Sequence, residues 1–196
     1  MCPMLIETEI TPNPATLKFL PGRAVMSSGT RDFPSPETAE GSPLASALFS
    51  LGDIEGVFFG HDFISVTKAP GGAEWRTLKP EILGILVDHF ASGAPLFQAG
   101  GANDILVADD AETTFADDPA DAEVVAQIRD LIDTRVRPAV ARDGGDILYR
   151  GFDKGIVYVV LQGACSGCPS SLATLKNGIE QLMKHYVPEV VEVRAV

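Results

Sequence analysis

The chain has 196 residues, a formal net charge of −12 and 45% hydrophobic residues. That length fits one large domain or two small ones, and the acidity argues against a phosphate-backbone partner such as nucleic acid. No apolar run approaches the ~20 residues needed to span a bilayer, which excludes a membrane-crossing helix.

Charge is unevenly spread. Residues 1–98 carry 6 basic and 11 acidic side chains, residues 99–118 carry 6 acidic and none basic, and residues 119–196 carry 9 basic and 10 acidic. The stretch at about 100–118, small and acidic with few large apolar residues, cannot bury enough surface to offset the entropy of ordering it. It is expected to be a flexible acidic linker between a domain at 1–99 and a domain at 119–196. Ile105-Leu106-Val107 is a greasy spot within it. The start, Met1-Cys2-Pro3-Met4-Leu5-Ile6-Glu7, has neither a basic n-region nor an Arg/Ser-rich presequence. A bacterial cytoplasmic location is therefore expected, with a processed mitochondrial form as the alternative.

In the first domain, Leu5–Glu9 and Thr16–Leu20 have strand character. Between them Thr11-Pro12-Asn13-Pro14 carries two prolines that forbid continuous pairing. Residues 27–43, rich in Ser, Gly and Pro, predict a long loop. Ser42-Pro43 supplies an N-cap and a first-turn proline for an apolar helix at Leu44–Leu51. Ile54–Phe59 and Phe63–Lys68 flank Gly60-His61-Asp62 as a hairpin. A helix at Glu81–Phe90, with Ile82, Ile85, Leu86 and His89 at helical spacing, closes the domain.

The second domain predicts the order α-β-β-α-β, so that the whole chain is α/β (α+β), two small mixed domains. Asp121–Val140 places Val124, Val125, Ile128, Leu131, Ile132 and Val136 on one stripe, and Pro138 is expected to kink or end that helix. Asp143-Gly144-Gly145-Asp146 turns into a strand at Ile147–Arg150. Asp153-Lys154-Gly155 then turns back into Ile156–Leu161, whose continuous apolar run suggests a central strand. A second helix at about Ser170–Tyr186 should bury Leu172, Leu175, Ile179, Leu182, Met183 and Tyr186. Pro188 ends it, and Val190–Val193 supplies a last strand.

Chemistry concentrates between that central strand and the second helix, in Gly163-Ala164-Cys165-Ser166-Gly167-Cys168-Pro169-Ser170-Ser171. Two of the chain's three cysteines lie here, among small residues that leave the backbone uncovered, so that a large ligand is expected to reach both sulfurs together. Pro169 at the first helical position makes Cys168 the expected N-cap, where the helix dipole favours thiolate. Thiolates are the ligands that zinc, copper(I) and iron–sulfur clusters take. A tetrahedral zinc or a 4Fe–4S cluster wants four ligands, and the motif supplies two. Either the site is incomplete or two chains contribute a pair each. The same pair is compatible with thiol–disulfide exchange, although Ala164 stands where a thioredoxin-like protein carries an aromatic residue, and the domain falls short of the ~100 residues that fold needs.

Other candidates have simpler readings. Cys2 lacks a partner near a chain end, and His61, His89 and His185 are not spaced as a metal pair. Asp143 and Asp146 flank a Gly-Gly turn and are expected to serve local turn chemistry. Trp75 is expected to anchor a core edge, and Gly71-Gly72 lacks the spacing of a phosphate loop.

Arg137-Pro138-Ala139-Val140, Asp143-Gly144-Gly145-Asp146, Leu161 to Ser171 and Leu175-Lys176-Asn177-Gly178-Ile179-Glu180 together strongly resemble the C-terminal NifU (Nfu-type) domain of iron–sulfur scaffold proteins. The first domain resembles the Nfu N-terminal domain through Thr11 to Phe19, Ser42-Pro43-Leu44-Ala45 and Val57 to Lys68. The resemblance implies a carrier rather than an enzyme. It implies a 4Fe–4S cluster held by Cys165 and Cys168 of two subunits and delivered to apo-proteins such as lipoyl synthase or aconitase. The first domain is then expected to recognise clients or the upstream scaffold.

Overall fold

The computed structural model describes residues 5–98, 118–166 and 169–196; the side chains of residues 169–174 are not part of that description. The chain divides into two compact units, Met1–Ala108 and Asp109–Val196. Most of the expected acidic linker, with Ile105-Leu106-Val107, lies outside the described residues.

The first unit is built on β1 (Glu7–Ile10), β2 (Thr16–Leu20), β3 (Arg31–Phe33), β4 (Ile54–Phe59) and β5 (Ile64–Lys68). They form an antiparallel sheet in the order β1-β2-β5-β4-β3. Alternation sends Leu17, Phe19, Val57, Phe59, Ile64 and Val66 to one face, and the register stacks them as Leu17↔Val66↔Val57 and Phe19↔Ile64↔Phe59. Helices α1 (Pro43–Phe49) and α2 (Trp75–Ser92) cover that face with Leu44, Leu48, Leu78, Ile82 and Leu86. Ser42 caps α1 as expected, its side chain accepting from the Ala45 N–H at 3.3 Å while its hydroxyl donates to the Leu96 carbonyl at 2.7 Å. Gly93, at φ 67°, ends α2 in the left-handed conformation that glycine adopts without strain.

Two expectations for this unit are corrected. The loop at 27–43 contains β3, three residues long, which pairs with β4 and brings Phe33 against Phe59 at 5.0 Å between ring centroids. Helix α2 begins at Trp75, ahead of Pro80 rather than behind it. Pro80 is exposed in the second turn, so its ring gives up a single backbone bond. Buried Leu78 and the Trp75 Nε1–H bond to the Pro14 carbonyl, at 3.1 Å, hold the first turn in place. That bond also makes Trp75 the edge anchor it was expected to be.

The second unit follows the expected order. Its strands β6 (Gly145–Asp153), β7 (Ile156–Gly163) and β8 (Glu192–Ala195) form a sheet with β7 central, antiparallel to β6 and parallel to β8. Helix α5 (Pro169–Tyr186) makes the crossover from β7 to β8. Val125, Ile128, Leu131, Ile132, Val136 and Val140 from the first helical stretch pack with Ile147, Val157, Val159 and Leu161 of the sheet and Ile179 and Met183 of α5. Val193 N–H, on the β8 side away from β7, donates to the Glu180 carboxylate at 3.1 Å.

Pro138 does not end the first helix of this unit. The chain runs as α3 (Ala122–Leu131), a π turn (Ile132–Val136) and α4 (Arg137–Arg142), with Pro138 in the first turn of α4. The Arg137 N–H reaches back to the Ile132 carbonyl, five residues earlier. This wider turn absorbs the missing proline N–H and the bulk of its ring, so the helix continues. Tyr186 is also corrected: it is 44% exposed at the end of α5, with Arg135 stacked 4.8 Å from its ring centroid. Leu172 lies among the side chains not described.

Candidate metal-cluster site

Two turns meet around Cys165. The first joins β7 to α5. Gly163 ends β7 at φ 67°, and its carbonyl accepts from both the Ser166 N–H at 3.1 Å and the Ser166 hydroxyl at 2.8 Å. The second joins α4 to β6 through Gly144, at φ 85°. The turns are tied by the Ala164 N–H, which donates to the Gly144 carbonyl at 3.1 Å, and by pairing of Gly145 with Gly163.

Cys165 points inward. It is 5% exposed and packs with the core of the second unit. Its Sγ lies over Gly145, where a Cβ would stand only 3.0 Å from the sulfur. Burial, followed by the nearby charges of Asp143 and Asp146, pushes the thiol up from 9.0 to about 12. In this arrangement Cys165 is a neutral, closed thiol. The small residues around the motif therefore do not leave this sulfur open to a large ligand, contrary to expectation: Ala164 is buried with it. Helix α5 does begin at Pro169, but Cys168, the expected N-cap, lies outside the described residues, as does Cys2. Of the two expected ligands, the structure places Cys165 alone.

Asp146 does more than shape a turn. It is 4% exposed. Its Oδ1 accepts from the Ile147 N–H at 2.7 Å and from Arg137 Nε at 2.9 Å. Arg137 also donates through Nη1 to Asp133 Oδ1 at 2.6 Å and through Nη2 to the Ile147 carbonyl at 3.2 Å. Sequence reasoning did not pair these residues, because nine positions and a change from helix to strand separate them. The only available signal was the joint presence of Arg137-Pro138 and Asp146 around the Gly-Gly turn.

The remaining candidates fall where simple structural roles place them. His61 is exposed at the hairpin turn, its carbonyl accepting from the Val25 and Met26 N–H groups. His89 sits edge-on to Phe90, where burial lowers its pKa, and His185 packs edge-on to Tyr186. Among the described residues, no three His, Cys, Asp or Glu side chains gather as a metal set, and no helix is long and apolar enough to cross a membrane.

Comparison with known proteins covers both units. The family described as "Scaffold protein Nfu/NifU N terminal" matches residues 6–93, and the family described as "NifU-like domain" matches residues 128–194. The human protein "NFU1 iron-sulfur cluster scaffold homolog, mitochondrial" is 48% identical over 98% of this chain and 72% of its own length. The Arabidopsis thaliana "NifU-like protein 4, mitochondrial" is 50% identical over 95% of this chain and 64% of its own length. The chain thus spans about two thirds of the relatives it matches. The solution structure of a Saccharomyces cerevisiae NifU-like protein is similar over 48% of this chain and 85% of that one, at 26% identity and a TM-score of 0.44.

These names correct the expectation of a bacterial cytoplasmic location: the human and plant relatives are both named mitochondrial, which points to the mitochondrion. With close relatives matched along nearly its full length and both family domains present in order, the chain belongs to the Nfu-type scaffold family.

Proposed function

We propose that this chain is an iron–sulfur cluster scaffold that carries a 4Fe–4S cluster between the Cys165 and Cys168 pairs of two subunits and delivers it to apo-proteins. It is a scaffold and not an enzyme. The supporting observation is the placement of Cys165 at the junction of β7 and α5, just after Gly163 ends the strand and before Pro169 starts the helix. The donor chemistry fits: a thiol pair suits a soft iron–sulfur cargo, and two pairs complete the four ligands it takes. The buried position of Cys165 requires the turn to open for loading, which suits transient cargo better than a resident cofactor. The same burial weighs against a thioredoxin-like oxidoreductase, whose attacking sulfur must be an exposed thiolate.

On this reading the first unit recognises clients, of the lipoyl synthase or aconitase type, or the upstream scaffold, and the acidic stretch at 100–118 tethers the two. Anaerobic reconstitution tests the proposal. Two pairs per 4Fe–4S cluster give about two irons and two sulfides per chain, on a dimer or larger species. Cys165→Ser or Cys168→Ser abolishes retention, whereas Cys2→Ser leaves it intact. Four irons on a strictly monomeric chain would sink the bridged arrangement, and disulfide reduction at thioredoxin-like rates without cluster uptake would sink the carrier.

A further inference from the structure

The Arg137–Asp146 pair lies outside the thiol motif, yet it is built into the floor beneath it. Gly145 is held on both sides. On one, Gly144 accepts from the Ala164 N–H; on the other, Asp146 is gripped by Arg137 and by the Ile147 N–H. The π turn at Ile132–Val136 ends at Arg137, and three guanidinium nitrogens there find three acceptors: Asp133, Asp146 and the Ile147 carbonyl. A π turn is an uncommon way to continue a helix and is frequent at functional sites. Here it sets Arg137 against the first residues of β6. An ammonium group could not make this triple contact, because it lacks the planar fork.

We propose that Arg137 and Asp146 are positioning residues that hold Gly145 as a seat for Cys165, shutting the metal-free thiol into the core, and that the Gly163–Ser166 turn must leave this seat to engage a cluster. The role in cluster handling rests on the scaffold reading above; the seat itself concerns the metal-free chain. Leaving the seat breaks the Ala164 N–H bond to Gly144, while the Arg137–Asp146 floor stays in place. The floor thereby makes the closed position well defined: a rigid glycine surface that fits a sulfur and tolerates nothing between. Loosening it lets Cys165 sample the open position more often without touching the thiol motif.

The test uses the full chain, metal-free, carrying Cys2→Ser and Cys168→Ser so that Cys165 is the single thiol. The rate at which it reacts with a disulfide reagent such as 5,5′-dithiobis(2-nitrobenzoate) is followed at fixed pH, with tyrosine-monitored urea unfolding as the check on folding. Cys165 on the otherwise unchanged chain should react far more slowly than in urea. Arg137→Ala should raise the rate about tenfold, as expected for loss of a charged hydrogen bond that restrains a local opening. Arg137→Lys should fall closer to Ala than to Arg. If Arg137→Ala does not fold, Arg137→Lys and Asp146→Asn decide the question by the same measurement. Rates within twofold of one another among folded variants overturn the proposal, as does a Cys165 that reacts as fast in the folded chain as in urea. Slow, seat-dependent kinetics in the single-thiol chain, together with no cluster uptake by the wild-type chain, would leave the seat standing and remove only the scaffold reading.

Discussion

Replacing Gly145 with alanine asks the most of the Cys165 site for one added methyl group. The new Cβ would press into the Gln162 carbonyl oxygen and lie 3.0 Å from Cys165 Sγ and 3.3 Å from its Cβ. The first obstacle is backbone in the central strand of the sheet, so it cannot swing aside as a side chain would. Overpacking a well-filled site costs about 1–3 kcal/mol, and a backbone obstacle puts this change at the upper end, about 2–3 kcal/mol. For a domain of this size that lowers the melting midpoint by roughly 10–20 °C. The chain supplies its own reporters: Trp75, the single tryptophan, lies in the first unit, and all three tyrosines, Tyr149, Tyr158 and Tyr186, lie in the second. Thermal unfolding followed by tyrosine should shift by that amount, while the tryptophan transition should stay where it is. A tyrosine transition unmoved by Gly145→Ala would refute the close seating of Cys165 on β6.

Ser42→Ala removes a helix cap and leaves the Leu96 carbonyl without its donor; it should destabilise the first unit by roughly 1–2 kcal/mol, read from the tryptophan transition in urea. Gly155→Ala forces a side chain onto φ 83°, with its Cβ 2.8 Å from Val191 Cγ2 and 3.0 Å from the Glu189 carbonyl. The tyrosine transition should report a loss of about 2–3 kcal/mol. Glu180 is held below the ordinary carboxyl value of 4.5, first by the hydrogen bond from Lys184 and then by that from the Val193 N–H. A carboxyl with a depressed folded-state pKa contributes stability that is present above its unfolded value and lost as pH falls through the folded one. Glu180→Gln should therefore be less stable than wild type at neutral pH, with the gap closing as pH drops below about 4.5 in tyrosine-monitored urea titrations.

The elements that strong local signals define were readable from the chain itself. Ser42-Pro43 fixes the start of α1, Gly60-His61-Asp62 lies between β4 and β5, and the unbroken apolar run from Ile156 marks β7 as central. What escaped depends on tertiary context. Strand β3 is three residues long, within a stretch whose Ser, Gly and Pro all favour turns, and it exists because β4 offers an edge to pair with. Pro80 and Pro138 both signal helix ends. The first is overridden by the anchoring of Trp75 and Leu78, the second by a π turn that no residue pattern announces. At the site, the strand-to-helix junction was legible, with α5 beginning at Pro169 as expected. The closure of Cys165 was not, because it depends on Gly145, Arg137 and Asp146, which local periodicity cannot bring to a turn that follows β7.

Because β8 pairs parallel with β7 across the whole of α5, the sheet of the second unit cannot be finished until Glu192–Ala195 has been synthesised. The β6–β7 hairpin closes through Lys154 and Gly155 and can form early, since its contacts are local and its loop entropy small. In that interval β7, with buried Val157 and Val159 among its residues, is an open edge of the kind that invites misassociation. Arrival of Glu192–Ala195 ends this exposure, and Glu180 then receives the Val193 N–H that would otherwise face outward. A chain cut before Glu192 would stay at that vulnerable stage, with the β7 edge that precedes the thiol turn left unpaired.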